Sequence, residues 1–235
     1  LRMLRERNFA IATLSMFLLG FVLYASTVLI PQFLQQLMGY DAEMAGLALS
    51  PGGLVIMAMM PVVGILVSKF EARWLVMIGG LVCSAALFVM AGWNLGISYS
   101  IAVKARMLQA LGMAFLFIPI NVAAFSFVPK EKTNMGTGII NLARNIGASV
   151  GIATVTTLVA RRAQFHQVNL ASHIDPANPG YRAVIANTAA HLSSVGSDPA
   201  LAQQQAHGLL YGMVQRQAGM LSYVDNFWLL GVIFL

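Results

Sequence analysis

Arg144 has the most chemistry to offer of any residue in this chain. It lies about two turns inside a long apolar run, in Asn141-Leu142-Ala143-Arg144-Asn145-Ile146-Gly147. An unpaired guanidinium in hydrocarbon is costly, so its presence needs a reason. Two reasons fit the residue type. It can face a polar passage and meet a ligand there, or it can bind backbone carbonyls of a neighbouring helix and lock the packing. Asn141 and Asn145 are one helical turn apart and share a face, so they line the same passage or bond across helices.

A second group sits in an earlier run. Arg106 and Gln109 are three residues apart and share a helix face that is expected to point inward. Lys104 can snorkel outward. Asn121 follows Pro119 deeper in the same run; proline bends a helix and frees a carbonyl, and bent polar helices line water-filled paths.

The carboxylates are informative by their positions. All eight (Glu6, Asp41, Glu43, Glu71, Glu131, Asp175, Asp198 and Asp225) lie outside the apolar runs or at their edges. Proton relays through membranes use buried carboxylates or histidines, so a titrating group is expected elsewhere than in these residues. His166, His173, His191 and His207 all fall in one polar loop without tight ligand spacing, and no metal or other cofactor is expected. Cys83, the single cysteine, reads as a buried apolar side chain. No nucleophile–base set or phosphate-binding glycine loop stands out, which argues against an enzyme.

These residues need elements to hold them, and composition names the kind. Of the 235 residues, 58% are hydrophobic and 9% charged, against about 25% charged in soluble domains. The net charge of +6 does not point to nucleic acid, because the basic residues flank apolar runs instead of sharing one face. Five long runs follow: Phe9 to Ile30, Ala42 to Val67, Trp74 to Trp93, Ile97 to Val128 and Met135 to Val159. Each exceeds the roughly 20 residues that cross about 30 Å of hydrocarbon. A sixth starts near Tyr223 and is cut off at Leu235, so the chain reads as a fragment whose first 159 residues carry helices one to five.

Lys and Arg alternate between loops. Arg2, Arg5 and Arg7 precede run one, Lys69 and Arg73 separate runs two and three, and Lys130 and Lys132 separate runs four and five. The intervening loops carry none, so the basic side is cytoplasmic and the chain starts inside. The stretch 160–222 is then extracytoplasmic. Asn178 before Pro179 and Asp198 before Pro199 are helix starts there, and an amphipathic helix from Ala200 leads into run six. A helical cap without a core of its own is expected. Within run five, Ile139, Ala143, Gly147 and Gly151 recur every fourth residue, and Gly147-x-x-x-Gly151 is a face for intimate helix packing.

Three segments resemble a known family. Arg5-Glu6-Arg7-Asn8-Phe9-Ala10 leads into a run ending Thr27-Val28-Leu29-Ile30-Pro31-Gln32-Phe33-Leu34-Gln35. Ala48-Leu49-Ser50-Pro51-Gly52-Gly53 opens run two. Arg144-Asn145-Ile146-Gly147-Ala148-Ser149-Val150-Gly151-Ile152-Ala153 fills run five. Together they resemble the C-terminal six-helix half of a major facilitator superfamily transporter, of the 14-spanner drug:proton antiporter (EmrB/QacA) type. Gly64-x-Leu66-x-Ser68-Lys69-x-x-x-Arg73 is similar to that superfamily's cytoplasmic gate motif, with Ser68 in place of the usual Asp and Glu71 where Gly is common. Arg106-x-x-Gln109-Ala110-x-Gly112 is similar to a first-half motif linked to proton transfer.

The resemblance implies an all-α membrane protein, a six-helix bundle with its last helix truncated. It implies proton-coupled export of hydrophobic or amphipathic drugs across the bacterial inner membrane by alternating access, the protons being handled by the other half. The partners it implies are the lipid bilayer, small substrates and a periplasmic adaptor protein that docks on the outer loop; no nucleic acid is among them. Helices one, two, four and five of such a half approach the cavity, which nominates Tyr24, Thr27, Gln32, Asn121, Asn141, Arg144 and Asn145. Gly64, Lys69 and Arg73 are nominated for the gate. An exporter of metabolites or siderophores with the same fold, and a membrane-embedded assembly subunit, are the alternatives.

Overall fold

A computed structural model describes residues 6–125, 133–172, 174, 177–196 and 198–235, without the side chain of Asn8. Arg2, Arg5, Lys130, Glu131, Lys132, His173, Asp175 and Pro176 lie outside the described residues. Eight helices appear among the described residues: α1 (Arg7–Gln36), α2 (Ala42–Leu47), α3 (Ser50–Lys69), α4 (Ala72–Ala91), α5 (Tyr99–Phe125), α6 (Thr133–Ser172), α7 (Pro179–Ser194) and α8 (Pro199–Ile233). Among the described residues, five spans are long and apolar enough to cross a membrane, in α1, α2 with α3, α4, α5 and α6. The chain is a multi-pass, all-helical membrane bundle.

Two run boundaries differ from the expectation, each for a local reason. Run one does not stop at Pro31; α1 continues through it to Gln36. Proline costs one backbone hydrogen bond, that of the carbonyl four residues back on Thr27. Tertiary contacts offset the loss: Phe33 and Leu34 are fully buried, and the Phe33 ring lies 5.2 Å from Trp93 and 5.6 Å from Tyr223. Run two, read as one helix, is broken into α2 and α3 at Ala48–Leu49. Pro51 sits in the first turn of α3, where its missing N–H would be unsatisfied anyway, so a new helix starts there. The Asp41 carboxylate caps α2 by accepting from Met44 N at 2.7 Å.

The chain divides into two compact units: Leu1–Thr157 with Tyr223–Leu235, and Leu158–Ser222. In the first, α5 packs on α1, α3 and α4. Apolar burial does little to bring helices together in lipid, whose tails are as apolar as leucine; close backbone approach does more. Glycine supplies that approach twice. A Cβ on Gly112 of α5 would stand 2.7 Å from Cys83 N and 2.8 Å from Gly79 O of α4. A Cβ on Gly147 or Gly151 of α6 would collide with the carbonyl oxygens of Phe17 or Phe21 of α1. Around these seams Met16, Leu19, Cys83, Met113, Leu116 and Ile140 form the buried centre.

The second unit holds the C-terminal turns of α6, all of α7 and the first turns of α8. Both expected caps form: Asn178 Oδ1 accepts from Gly180 N at 2.8 Å, and Asp198 Oδ2 from Ala200 N at 3.1 Å. Polar cross-links tie its helices. Tyr181 Oη bonds His207 Nδ1 at 2.8 Å, and Gln167 Nε2 donates to Tyr211 Oη at 3.1 Å. Ile185, Ala202 and Ala206 are buried in it, whereas Val168, Val195 and Met213 stay exposed.

Candidate functional site

Among the arginines carried by the spans are the two singled out above, Arg106 and Arg144, and no Asp or Glu occurs in α1, α3, α4, α5 or α6. Helix geometry places them at different points along α1. Thr27, which meets Arg106, is seven residues beyond Gly20, which meets Arg144. That is roughly 10 Å along the helix axis.

Arg106, on α5, is 7% exposed and wired into a network across two helices. Its Nη1 donates to Gln109 Oε1 at 2.7 Å, and its Nη2 donates to Thr27 Oγ1 at 3.2 Å. Gln109 Nε2 in turn donates to Ser26 Oγ at 2.9 Å. Both hydroxyls on α1 donate back to the Leu23 carbonyl, at 3.0 Å from Ser26 and 2.7 Å from Thr27. Oriented hydroxyls therefore turn their lone pairs toward α5. On the third side lies α3: a Cβ on Gly52 would stand 3.2 Å from Arg106 Cγ. The Arg106-x-x-Gln109 spacing thus makes a clasp between α1 and α5 beside the first turn of α3. Gly112 of the same motif serves the α4 seam.

Arg144, on α6, is half-buried and held differently. Its backbone carbonyl crowds Gly20 of α1, and a Cβ on Gly20 would stand 3.0 Å from its Cγ. The stem therefore lies across a glycine notch. The guanidinium carbon sits 5.5 Å from the centroid of the Phe117 ring on α5. Its Nε is buried without a hydrogen-bond partner among the described residues. The Phe117 carbonyl accepts from Asn121 Nδ2 at 2.7 Å, so the Asn121 amide serves its own helix. A cation over an aromatic face gains about 0.5–2 kcal/mol, and the donors of the fork remain unspent.

The other nominated residues disperse. Tyr24 and Asn145 are exposed, and Gln32 and Asn141 are half-buried without joining either arginine. The gate residues do not converge. Gly64 and Lys69 are exposed on α3, and Arg73 forms an ion pair with Glu71 two residues away, on the surface. Arg73 also lies 5.8 Å from the Trp74 ring.

Ser26, Gly20, Gly52 and Phe117 belong to these arrangements and were not singled out as site residues from the sequence. Ser26 carried a usable signal, a hydroxyl next to Thr27 inside a span. Phe117 and Gly20 carried none, since an apolar ring and a glycine are ordinary in a membrane helix.

A family model described as Major Facilitator Superfamily matches residues 1–152. Along its whole length the chain is 27% identical to "Multidrug export protein EmrB" of Escherichia coli (strain K12), covering 44% of that protein. It is 26% identical to "Fatty acid resistance protein FarB" of Neisseria gonorrhoeae, covering all of this chain and 45% of the relative. Over 74% of the chain it is 30% identical to the EmrB of Haemophilus influenzae, covering 34% of it. The chain spans less than half the length of these curated relatives.

Proposed function

This chain belongs to the Major Facilitator Superfamily, and from that premise we propose that it forms the second six-helix bundle of a multidrug exporter. The full-length protein moves hydrophobic or amphipathic compounds out across the bacterial inner membrane by alternating access, coupled to protons. One observation carries this reading: two arginines of the spans turn to neighbouring helices, Arg106 to Thr27 of α1 and Arg144 to the Phe117 ring of α5. A lipid-facing guanidinium would instead snorkel to the headgroups. Polar groups kept at depth, facing the bundle interior, mark a solute path in membrane proteins.

Proton transfer is assigned to the other half, because α1, α3, α4, α5 and α6 hold no carboxylate. The relatives named for multidrug export and fatty acid resistance support the substrate class. Helix α1 faces the cytoplasm at Arg7 and the outside at Gln36, and the unit Leu158–Ser222 is extracytoplasmic, where a periplasmic adaptor docks. Substrate meets the bundle at Arg144, with Tyr24, Thr27, Gln32, Asn121, Asn141 and Asn145 along the passage; Gly64, Lys69 and Arg73 act at the cytoplasmic gate.

Drug accumulation in cells making the full-length protein tests the reading. Arg144→Ala is expected to raise intracellular drug to the level of cells lacking the exporter, at unchanged protein abundance. Normal efflux by both Arg144→Ala and Asn145→Ala would remove the pair from the path.

A further inference from the structure

Three arginines stand where the topology of the chain does not call for them. Successive spans alternate in direction, so the C-terminal end of α6 lies on the same side of the membrane as the end of α1. On that side the short loops 37–41 and 92–98 carry no Lys or Arg. Arg161 and Arg162 nevertheless follow directly on the last apolar residues of the α6 span, and Arg216 lies on α8 shortly before its apolar run. Basic residues that set topology gather on the opposite face.

The three share one height. Gln167 of α6 donates to Tyr211 of α8 at 3.1 Å, and Ala171 and His207 line one cavity of about 300 Å³. Four residues forward on α6 therefore match four residues back on α8, and the two helices run antiparallel. Five residues in the other direction from the hydrogen bond bring Arg162 level with Arg216, and Arg161 lies beside them. This height is about 3–5 Å along α6 beyond Val159, where headgroups replace hydrocarbon.

Among the described residues of α6, α7 and α8, no carboxylate lies at that height. Helices α6 and α7 contain none. Asp225 of α8 is nine residues from Arg216, and Asp198, which caps α8, is eighteen residues away on the other side. Those separations are about 13 and 27 Å along the helix. The neighbouring polar side chains, Gln164, Gln215 and Gln217, are neutral amides. The Arg162 guanidinium carbon is 4.8 Å from the centroid of the Phe165 ring, which is half-exposed and braces it.

We infer that Arg161, Arg162 and Arg216 form a binding site for the phosphate of an anionic phospholipid in the leaflet on this side of the membrane. The phosphodiester is the anion available at that depth, and a guanidinium fork meets its oxygens bidentately. Three cations with no carboxylate at their level disfavour a headgroup that carries its own ammonium. The site therefore selects phosphatidylglycerol over zwitterionic lipid. Each arginine at a charged headgroup layer strengthens such binding by about fivefold. An acidic protein surface fits less well, since it would have to enter the headgroup layer. The inference needs only the membrane bundle and is independent of the export reading.

The test exposes the detergent-purified full-length protein to an equimolar mixture of palmitoyl-oleoyl phosphatidylglycerol and phosphatidylcholine, and counts retained lipids by native mass spectrometry. The wild-type protein is expected to retain phosphatidylglycerol about tenfold over phosphatidylcholine. Arg161→Gln, Arg162→Gln and Arg216→Gln should each lower that preference severalfold, and the triple variant should abolish it. Arg182→Gln makes the same charge change on α7 and should leave it intact. There Tyr181, the neighbour of Arg182, bonds His207, nine residues from Arg216. Equal retention of both lipids by the wild-type protein overturns the inference. So does an equal loss in Arg182→Gln, which makes net charge the cause. Displacement of phosphatidylglycerol by inorganic phosphate, but not by chloride at the same ionic strength, overturns the lipid assignment in favour of a free-anion site. A triple variant that keeps the lipid preference but loses a co-purified periplasmic adaptor overturns it in favour of a protein partner. If the triple variant does not fold, the three single variants decide. Failure of the export reading would show in drug accumulation and leave the lipid preference unchanged.

Discussion

Arg106 and Arg144 pose the same physical problem and the bundle solves it in opposite ways. Both are guanidinium groups at depth in apolar helices, with no carboxylate in those helices to meet them. Around Arg106 both terminal nitrogens find side-chain acceptors, and only its Nε, like that of Arg144, is buried without a partner among the described residues. Gln109 accepts from one nitrogen, Thr27 from another, and Ser26 holds Gln109 in place. Around Arg144 the neighbours are a glycine notch and an aromatic face. The first arrangement is closed, and its value is structural: it fastens α1 to α5. The second is open, and its donors are available to something that comes and goes. Full satisfaction of a buried polar group stabilises a fold, while incomplete satisfaction at depth is tolerated where function uses it.

The comparison can be broken most forcefully at the notch itself. Gly20→Leu places a branched side chain where the Arg144 carbonyl already stands. No rotamer avoids a clash with backbone, so α1 and α6 must separate. Loss of monodisperse protein on size-exclusion chromatography is expected, and Gly147→Leu should behave alike.

Next in size is Arg106→Leu. It leaves Gln109 and Thr27 short of a charged donor in a buried site. Hydrogen bonds to charged groups contribute about 1.5–3 kcal/mol, so thermal unfolding of the detergent-purified full-length protein should begin several degrees lower. Arg144→Leu should shift the same melting curve by much less, or upward, because it removes a charge that the fold leaves unpaired. Equal destabilisation by the two variants would erase the distinction drawn between them.

A double-mutant cycle sharpens it. Arg106→Leu combined with Thr27→Val should show a coupling of about 0.5–2 kcal/mol, as expected for groups in one network. Arg144→Leu with Thr27→Val should show additivity within about 0.5 kcal/mol, since the two share no partner. The smallest effect belongs to Asn145→Ala. Its side chain is exposed in this bundle and holds neither arginine, so the melting temperature should not move. Any effect should appear only in drug accumulation.

Much of the architecture was legible beforehand, because a lipid solvent leaves few alternatives. Apolar runs of sufficient length must be helices when no water can satisfy the backbone. The caps at Asn178 and Asp198 were legible too, since an Asx residue before proline satisfies the first N–H groups by its own side chain. Pro31 and Pro51 were harder. The same residue type is carried inside α1 and starts α3 afresh, and burial of Phe33 and Leu34 beyond the first proline explains why α1 continues. The face shared by Arg106 and Gln109 followed from spacing. Its meeting with Ser26 and Thr27 did not, for those hydroxyls stand about 80 residues away along the chain. Of the residues nominated for the passage, Thr27 reaches an arginine and Tyr24 stays exposed, although both lie on α1 within one turn.

What the sequence settled alone was therefore the solvent, the helices and the depth of the charges, because hydropathy and residue spacing are local quantities. What only the tertiary structure decided was which arginine is bonded and which is open. That depends on where Gly20, Gly52, Ser26 and Phe117 of other helices come to rest, and close approach between distant backbones leaves no mark in local composition.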